Sequence, residues 1–213
     1  MTDTRSRHVS PTAGAGEGDL AERPRRVFIC LEIPPDRQQQ IEALTSSLLL
    51  RTPAIRRVQA HLLHITMFFC GNLDWADIDR VDRAAATAAG GAGPFVLTTD
   101  ILGAFPPHGP ARVVWLGLHD GVDEAGRLHR SLIGALRAEG FEVGGRADFS
   151  PHITLGRVRQ GVRGDDLFRI TASIARARRI GPVRIPVNHL TVMESLSGQS
   201  GPTYLPISRY PLT

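Results

Sequence analysis

The tetrapeptide His64-Ile65-Thr66-Met67 returns 88 residues later as His152-Ile153-Thr154-Leu155. Each copy lies in an apolar run that reads as a β-strand, where successive side chains point to opposite faces. Each histidine therefore shares a face with its threonine, while Ile65, Met67, Ile153 and Leu155 point the other way, into a core beneath helices. The spacing is close to half of the chain that carries hydrophobic periodicity. This repeat constrains the fold to two similar lobes, each with one greasy and one open sheet face. Packed about a pseudo-twofold, such lobes line a single cleft with two imidazoles and two hydroxyls. One His-x-Thr in a strand is common by chance; two in apolar strands, half a domain apart, are not.

The intervening sequence supplies the other elements. A strand over 27–33 is stopped by Pro34-Pro35, and a helix follows with Asp36 near its start and Ile41, Leu44 and Leu48 on one face. Extended segments are expected at 55–58 and 64–70. Asp74 is placed to cap a helix running to about Ala89, with Ile78, Val81 and Ala85 on one side and Gly90-Gly91 as its stop. Strands over 95–104 and 112–118 flank the turn-rich Pro106-Pro107-His108-Gly109-Pro110. A helix over 122–138 buries Leu128, Leu132, Ala135 and Leu136; a strand over 152–158 and a short helix over 165–176 come next. Strands over 183–194 and 204–208 close the chain. The order is not strictly βαβ, so the expected class is α+β: two pseudo-symmetric lobes of mainly antiparallel sheet, with outer helices, around a central cleft.

Composition narrows the setting. Residues 1–25 are Gly, Ala, Pro, Ser and charge without a hydrophobic period, which predicts a flexible tail before one bilobal domain over 26–213. No stretch nears the ~20 apolar residues of a membrane span, and no apolar segment follows the N-terminal charges as in a secretory signal. A cytoplasmic protein is expected, with Cys30 and Cys70 as reduced thiols inside apolar runs. All 25 basic residues are arginine, and the formal net charge is +4. Codon bias in a GC-rich genome explains the absence of lysine. A guanidinium-rich surface nonetheless attracts phosphate and grips it bidentately.

Two imidazoles and two hydroxyls in one cleft suit the opening of a cyclic phosphodiester by water. That reaction needs a base for the water and an acid for the departing oxygen. Histidine, with an unperturbed pKa of about 6.5, serves as either near neutral pH, and each such proton transfer is worth roughly 10²–10⁴-fold. Threonine hydroxyls donate to the non-bridging oxygens, where charge accumulates. The arrangement calls for no metal and no cofactor, and the sequence has no HExxH helix, CxxC pair or acidic cluster beside either motif. His8, His61, His108, His119, His129 and His189 form no second pattern and read as structural or exposed.

At these residues the chain resembles the two-histidine (2H) phosphoesterase superfamily, and within it the RNA 2′,3′-cyclic phosphodiesterases, also called 2′-5′ RNA ligases of the LigT type. The resemblance covers about residues 26–212. It includes Arg26 to Pro34, the first motif running into Phe69-Cys70-Gly71, Gly103 to Pro106, Arg112 to Gly117, Pro151 to Arg159, and Glu194-Ser195 to Tyr204. It departs at Leu62, Phe68 and Cys70, positions beside the expected groove rather than in the catalytic set. The resemblance implies hydrolysis of RNA 2′,3′-cyclic ends to 2′-phosphomonoesters, with His64 as proton donor, His152 as proton acceptor, and Thr66 and Thr154 holding the phosphate. The partner it implies is an RNA end, met by a monomer with no obligatory protein partner and no membrane.

Three further residues carry open readings. Arg157 matches the family's phosphate or ribose clamp, yet strict alternation puts it on the face opposite His152, so that role needs a bulge after the motif; a salt bridge is the rival reading. Phe28 shares a phase with Cys30 and Glu32, opposite Val27, Ile29, Leu31 and Ile33. It either stacks on a base, worth about 1–3 kcal/mol, or belongs to the core. Phe68 falls in phase with His64 and Thr66, with the same two readings. Competing functions are hydrolysis of small cyclic nucleotides or 2′-5′ linkages, RNA ligation, and RNA binding without catalysis.

Overall fold

The computed structural model of the chain describes residues 23–50, 53–107, 109–143, 149–176, 179–199 and 201–213. Of the expected features, the tail up to residue 22, His8 and His108 lie outside this set, as does the side chain of Leu48. In chain order the elements are β1 (Arg25–Glu32), α1 (Pro35–Leu50), β2 (Ile55–Arg57), a 3₁₀ turn (Ala60–Leu62), β3 (His64–Leu73), α2 (Trp75–Ala89), β4 (Phe95–Phe105) and β5 (Val113–Asp120). Then come α3 (Val122–Ala138), β6 (His152–Val158), α4 (Asp165–Arg176), β7 (Arg179–Val187), β8 (His189–Gly198) and β9 (Gly201–Pro211). Among the described residues no helix is long and apolar enough to cross a membrane.

All strands pair antiparallel in one curled sheet ordered β7-β4-β5-β6-β3-β1-β8-β9, with β2 also alongside β6. The α+β class therefore holds. One lobe consists of β3, β1, β8 and β9, and the other of β6, β5, β4 and β7. Their seam is a single pairing, Ile65 opposite Ile153, at the centre of the two motifs. The outer strands carry prolines, Pro182 and Pro186 in β7 and Pro202, Pro206 and Pro211 in β9. Proline cannot donate to a further strand, so it blunts a sheet edge.

The helices cover one face of the sheet because their apolar stripes demand it. In α2, Ile78, Val81, Ala84, Ala85 and Ala88 are buried, and Asp74 caps the start by accepting from the Asp77 N–H. In α3, Leu128, Leu132 and Leu136 are buried at helical spacing. These stripes meet Ile29, Leu31, Ile65, Leu116 and Ile153 in one continuous core.

The structure corrects two sequence expectations. The stretch 183–194 is not one strand: it breaks at Asn188 into β7, an edge strand of one lobe, and β8, which lies between β1 and β9 in the other. Both halves carry β-branched residues, Val183, Ile185 and Val187 in one and Thr191 and Val192 in the other, so the local pattern carries no sign that the chain crosses between lobes. In α1, Leu44 is 37% exposed and the buried stripe is instead Ile41 and Thr45. The Thr45 hydroxyl donates to the Ile41 carbonyl at 2.7 Å, which satisfies it inside the apolar interface.

Candidate active site

The seam aligns the two motifs head to tail. Extending the antiparallel register from Ile65–Ile153 by one residue each way sets His64 across from Thr154 and Thr66 across from His152. Burial alternates as the sequence requires: Ile65, Met67, Ile153 and Leu155 are buried beneath the helices, while His64, Thr66, His152 and Thr154 are half-buried on the other face. All four predicted catalytic side chains thus share one face of one sheet.

Both imidazoles are held by the same local device. His64 Nδ1 lies 2.8 Å from the Leu62 carbonyl, and His152 Nδ1 lies 2.8 Å from the Ser150 carbonyl. A carbonyl only accepts, so each Nδ1 carries a proton, and each Nε2 is left for proton transfer. His64 Nε2 is 3.1 Å from the Thr66 hydroxyl. Burial pushes the His64 pKa below its ordinary value, against the opposing effect of the Leu62 carbonyl, and the nearby charge of His152 lowers it further.

Each ring also sits in an aromatic frame. Phe28 lies 4.9 Å from His64 and Tyr204 lies 5.2 Å from it, edge-on. In the other lobe Phe105 is 5.0 Å and Trp115 is 6.2 Å from His152. Trp115 lies flat along the sheet only because Gly103 and Gly117 have no side chains. A Cβ at 103 would fall inside the indole, 2.7 Å from its Cε2 atom, and one at 117 would lie 2.7 Å from Cζ3. Beneath His64, Phe28, Cys30 and Met193 make a small apolar cluster with Tyr204 packed on it. Burial raises the Cys30 thiol far above its ordinary pKa, so it is a neutral packing group. Cys70 is half-buried, and burial pushes it up to about 12.

Matching one-residue bulges reset the strand phase after each motif. Met67 is left unpaired between Thr66, opposite Cys30, and Phe68, opposite Ile29. Leu155 is left unpaired between Thr154, opposite Trp115, and Gly156, opposite Val114. The second bulge returns Arg157 to the histidine face, the position its expected role requires. The first corrects the reading of Phe68, which turns to the core beside Ile29, while Phe69 swings onto the histidine face 6.3 Å from Phe28. Phe28 itself is 4% exposed and supports His64, whereas Phe69 is 65% exposed. Phe69, Tyr204, Trp115 and Phe105 are the cleft residues that strand phase alone missed. One signal for Phe69 was present: it and Arg157 both stand five residues after a motif histidine.

The cleft is basic. Arg56 is directly opposite Arg157 across the β2–β6 pair. Among the described residues no three His, Cys, Asp or Glu side chains gather as metal ligands.

Comparison with known proteins agrees with this geometry. The family model of the 2′-5′ RNA ligase superfamily matches residues 33–199. The chain belongs to that superfamily. An RNA 2′,3′-cyclic phosphodiesterase of Thermotoga maritima is 26% identical over 179 residues, 84% of this chain and 91% of its own length. One from Methanothermobacter thermautotrophicus is 25% identical, over 84% and 94% of the two chains. Among solved structures, Escherichia coli LigT complexed with 3′-AMP superposes with a TM-score of 0.71 at 24% identity, covering 89% of this chain and 99% of LigT. That likeness shows a shared fold.

Proposed function

We propose that this member of the 2′-5′ RNA ligase superfamily hydrolyses the 2′,3′-cyclic phosphate at RNA 3′ ends to a 2′-phosphomonoester, with side chains alone serving as acid and base. The observation that carries this reading is the pair of Nε2 atoms, each freed by an Nδ1–carbonyl bond, on one sheet face across the Ile65–Ile153 seam. In the reaction His152 Nε2 takes a proton from the attacking water, whose oxygen bonds to phosphorus. The bond from phosphorus to O3′ breaks, and His64 Nε2–H delivers its proton to O3′. Exchange with solvent then resets both rings. Thr66 and Thr154 donate to the non-bridging oxygens, and Arg157 neutralises the charge that builds there. Burial disfavours protonated His64 in the free protein; a bound diester anion works against that and loads the acid as substrate arrives.

The test is hydrolysis of an oligoribonucleotide ending in a 2′,3′-cyclic phosphate, in excess EDTA, with the phosphate position of the product resolved. A 2′-phosphate formed at the rate seen without EDTA is expected. A 3′-phosphate would reverse the orientation assigned to His64, and no turnover by folded protein would remove the hydrolytic reading.

A second reading rests on the symmetry of the site. Both rings are oriented by an Nδ1–carbonyl bond, and an RNA 5′-hydroxyl that replaces water, giving its proton to the same base while the same acid protonates O3′, makes a 2′-5′ linkage. Excess 5′-hydroxyl oligonucleotide in the same assay measures that partition directly.

A further inference from the structure

Some arginines of this fold are tied to carboxylates, and others, among them Arg57, Arg112, Arg130 and Arg137, have none within 4.0 Å among the described residues. Arg25 meets Glu194 at 2.7 Å, Arg80 meets Asp77 at 2.7 Å and Arg179 meets Asp100 at 2.7 Å. On the histidine face Arg209 is tied to Glu32 at 2.7 Å, whereas among the described residues Arg26, Arg56 and Arg157 pair with no carboxylate. The contrast is sharpest between neighbours. Arg25 is tied to Glu194 and lies over the Trp75 ring at 4.2 Å. Arg26 alternates to the other face, in phase with Phe28.

The three converge from both lobes. Arg56 and Arg157 are directly opposite in the β2–β6 ladder, an arrangement that is repulsive unless an anion lies between them. Arg26 in β1 and Tyr204 in β9 share one row across β8. Val27 pairs with Glu194 and Ser195 with Tyr204, so that row runs Arg26, Ser195, Tyr204. Burial raises the Tyr204 pKa, while the charges of Arg157, Arg26 and Arg56 each lower it, so all three guanidinium groups act on that one hydroxyl.

The reacting group does not use this much charge. A cyclic phosphodiester carries one negative charge, and protonated His64 with Arg157 already exceeds it. Arg26 and Arg56 are left over, with the Tyr204 hydroxyl as a further donor.

We propose that Arg26 and Arg56, with Arg157 shared between the two, form a second anion site. It holds the phosphate on the 5′ oxygen of the nucleoside whose 2′,3′-cyclic phosphate reacts, so that oligonucleotide ends are preferred over nucleoside cyclic phosphates. The inference rests on the hydrolytic reading for which end of the ligand lies between the histidines. Its test does not require turnover.

The experiment is equilibrium binding of three ligands to the full chain and to an Arg26→Gln/Arg56→Gln variant: adenosine 2′-phosphate, adenosine 2′,5′-bisphosphate, and a 3′-5′-linked diadenosine ending in a 2′-phosphate. Charge-assisted contacts of this kind are worth about tenfold or more in affinity. The bisphosphate and the dinucleotide should therefore bind the natural chain at least about tenfold more tightly than the 2′-phosphate, a gain that shrinks to within about threefold in the variant. The logarithmic salt dependence of dinucleotide binding should fall by about 0.7 in the variant, the contribution of one single-strand phosphate. Because the readout is a ratio of affinities within each protein, a loss of folded material cancels. No gain in the natural chain, or a gain that persists in the variant, overturns the site. An equal loss for all three ligands assigns the arginines to the reacting phosphate instead and also overturns it. A gain for the bisphosphate alone overturns the preference for oligonucleotides. Failure of the hydrolytic reading would be seen separately, as intact cyclic phosphate in the EDTA assay.

Discussion

Gly103 offers a direct test of how the second lobe holds its histidine. An alanine there puts a methyl group inside the footprint of the Trp115 indole, 2.7 Å from Cε2 and nearer still to Cζ2 and Cη2. Carbon atoms in contact settle at roughly 3.5–4.0 Å, so the ring must retreat by about 1 Å or more. It cannot retreat freely, because Phe105 lies 5.2 Å away on one side and His152 packs against both rings. Overpacking of this kind costs about 1–3 kcal/mol. For a chain of this size each kcal/mol moves the melting temperature by roughly 2–4 °C, so a fall of about 2–12 °C is expected. A displacement of ~1 Å in a catalytic group can cost about 100-fold in rate, so the turnover number should fall more than the stability does. Thermal melting followed by circular dichroism, with single-turnover hydrolysis of a cyclic-ended oligoribonucleotide, reads both. Gly93→Ala is the control: nothing lies within 4 Å of its added methyl group and its backbone is not left-handed. It should be neutral or raise stability by up to about 1 kcal/mol. If Gly103→Ala melts and turns over like the natural chain, the account of Trp115 as a fixed support for His152 is wrong.

The same geometry makes further outcomes testable. His64→Ala and His152→Ala should each lower the turnover number by roughly 10²–10⁴; full activity in both would reject a shared acid/base site. If His64 is the acid, it must be protonated, and its folded-state pKa lies below the ordinary histidine value. The alkaline limb of kcat/KM should then begin below about pH 6.5, and a limb that begins above pH 7 would contradict the burial argument. The same shift makes the folded state lose stability as pH falls from about 6.5 through the depressed pKa, because there the unfolded chain binds the proton more readily. A His64→Gln chain should show a flatter denaturation midpoint across that window. Asp74→Ala removes the cap on α2 and should cost about 1 kcal/mol, read as a melting shift of roughly 2–4 °C.

The motif faces were legible in the sequence because strand alternation depends only on neighbouring residues. His64, Thr66, His152 and Thr154 fall on one face for that reason, and the α3 stripe of Leu128, Leu132 and Leu136 could be read in the same way. Phase fails where a partner strand intervenes. The bulges at Met67 and Leu155 are set by pairing with β1 and β5, so the exchange of Phe68 for Phe69 and the return of Arg157 to the cleft are decided across strands. Thr45 replaced Leu44 in the α1 stripe because its hydroxyl could be satisfied by its own helix, which lets a polar residue stand in a buried row. The separation of β7 from β8 is a long-range property: both are strands by composition, and only the positions of β4 and β1 decide their neighbours.

That crossing at Asn188 has a consequence for how the chain comes off the ribosome. The lobe around His152 is contiguous, from β4 through β7, and has all its strands once residue 187 has emerged. The lobe around His64 begins with β1 and β3 but lacks β8 and β9 until residues 189–211 have emerged. At roughly 5–20 residues per second, the roughly 120 residues between β3 and the end of β8 keep the nascent β1–β3 pair waiting for about 6–25 s. Throughout that interval the unfinished product carries a formed His152 lobe and a His64 lobe with an open strand edge, the surface a chaperone recognises. Half-made chains should therefore be held rather than active, and the His64 lobe is completed beside the His152 lobe only when the β8–β9 hairpin closes.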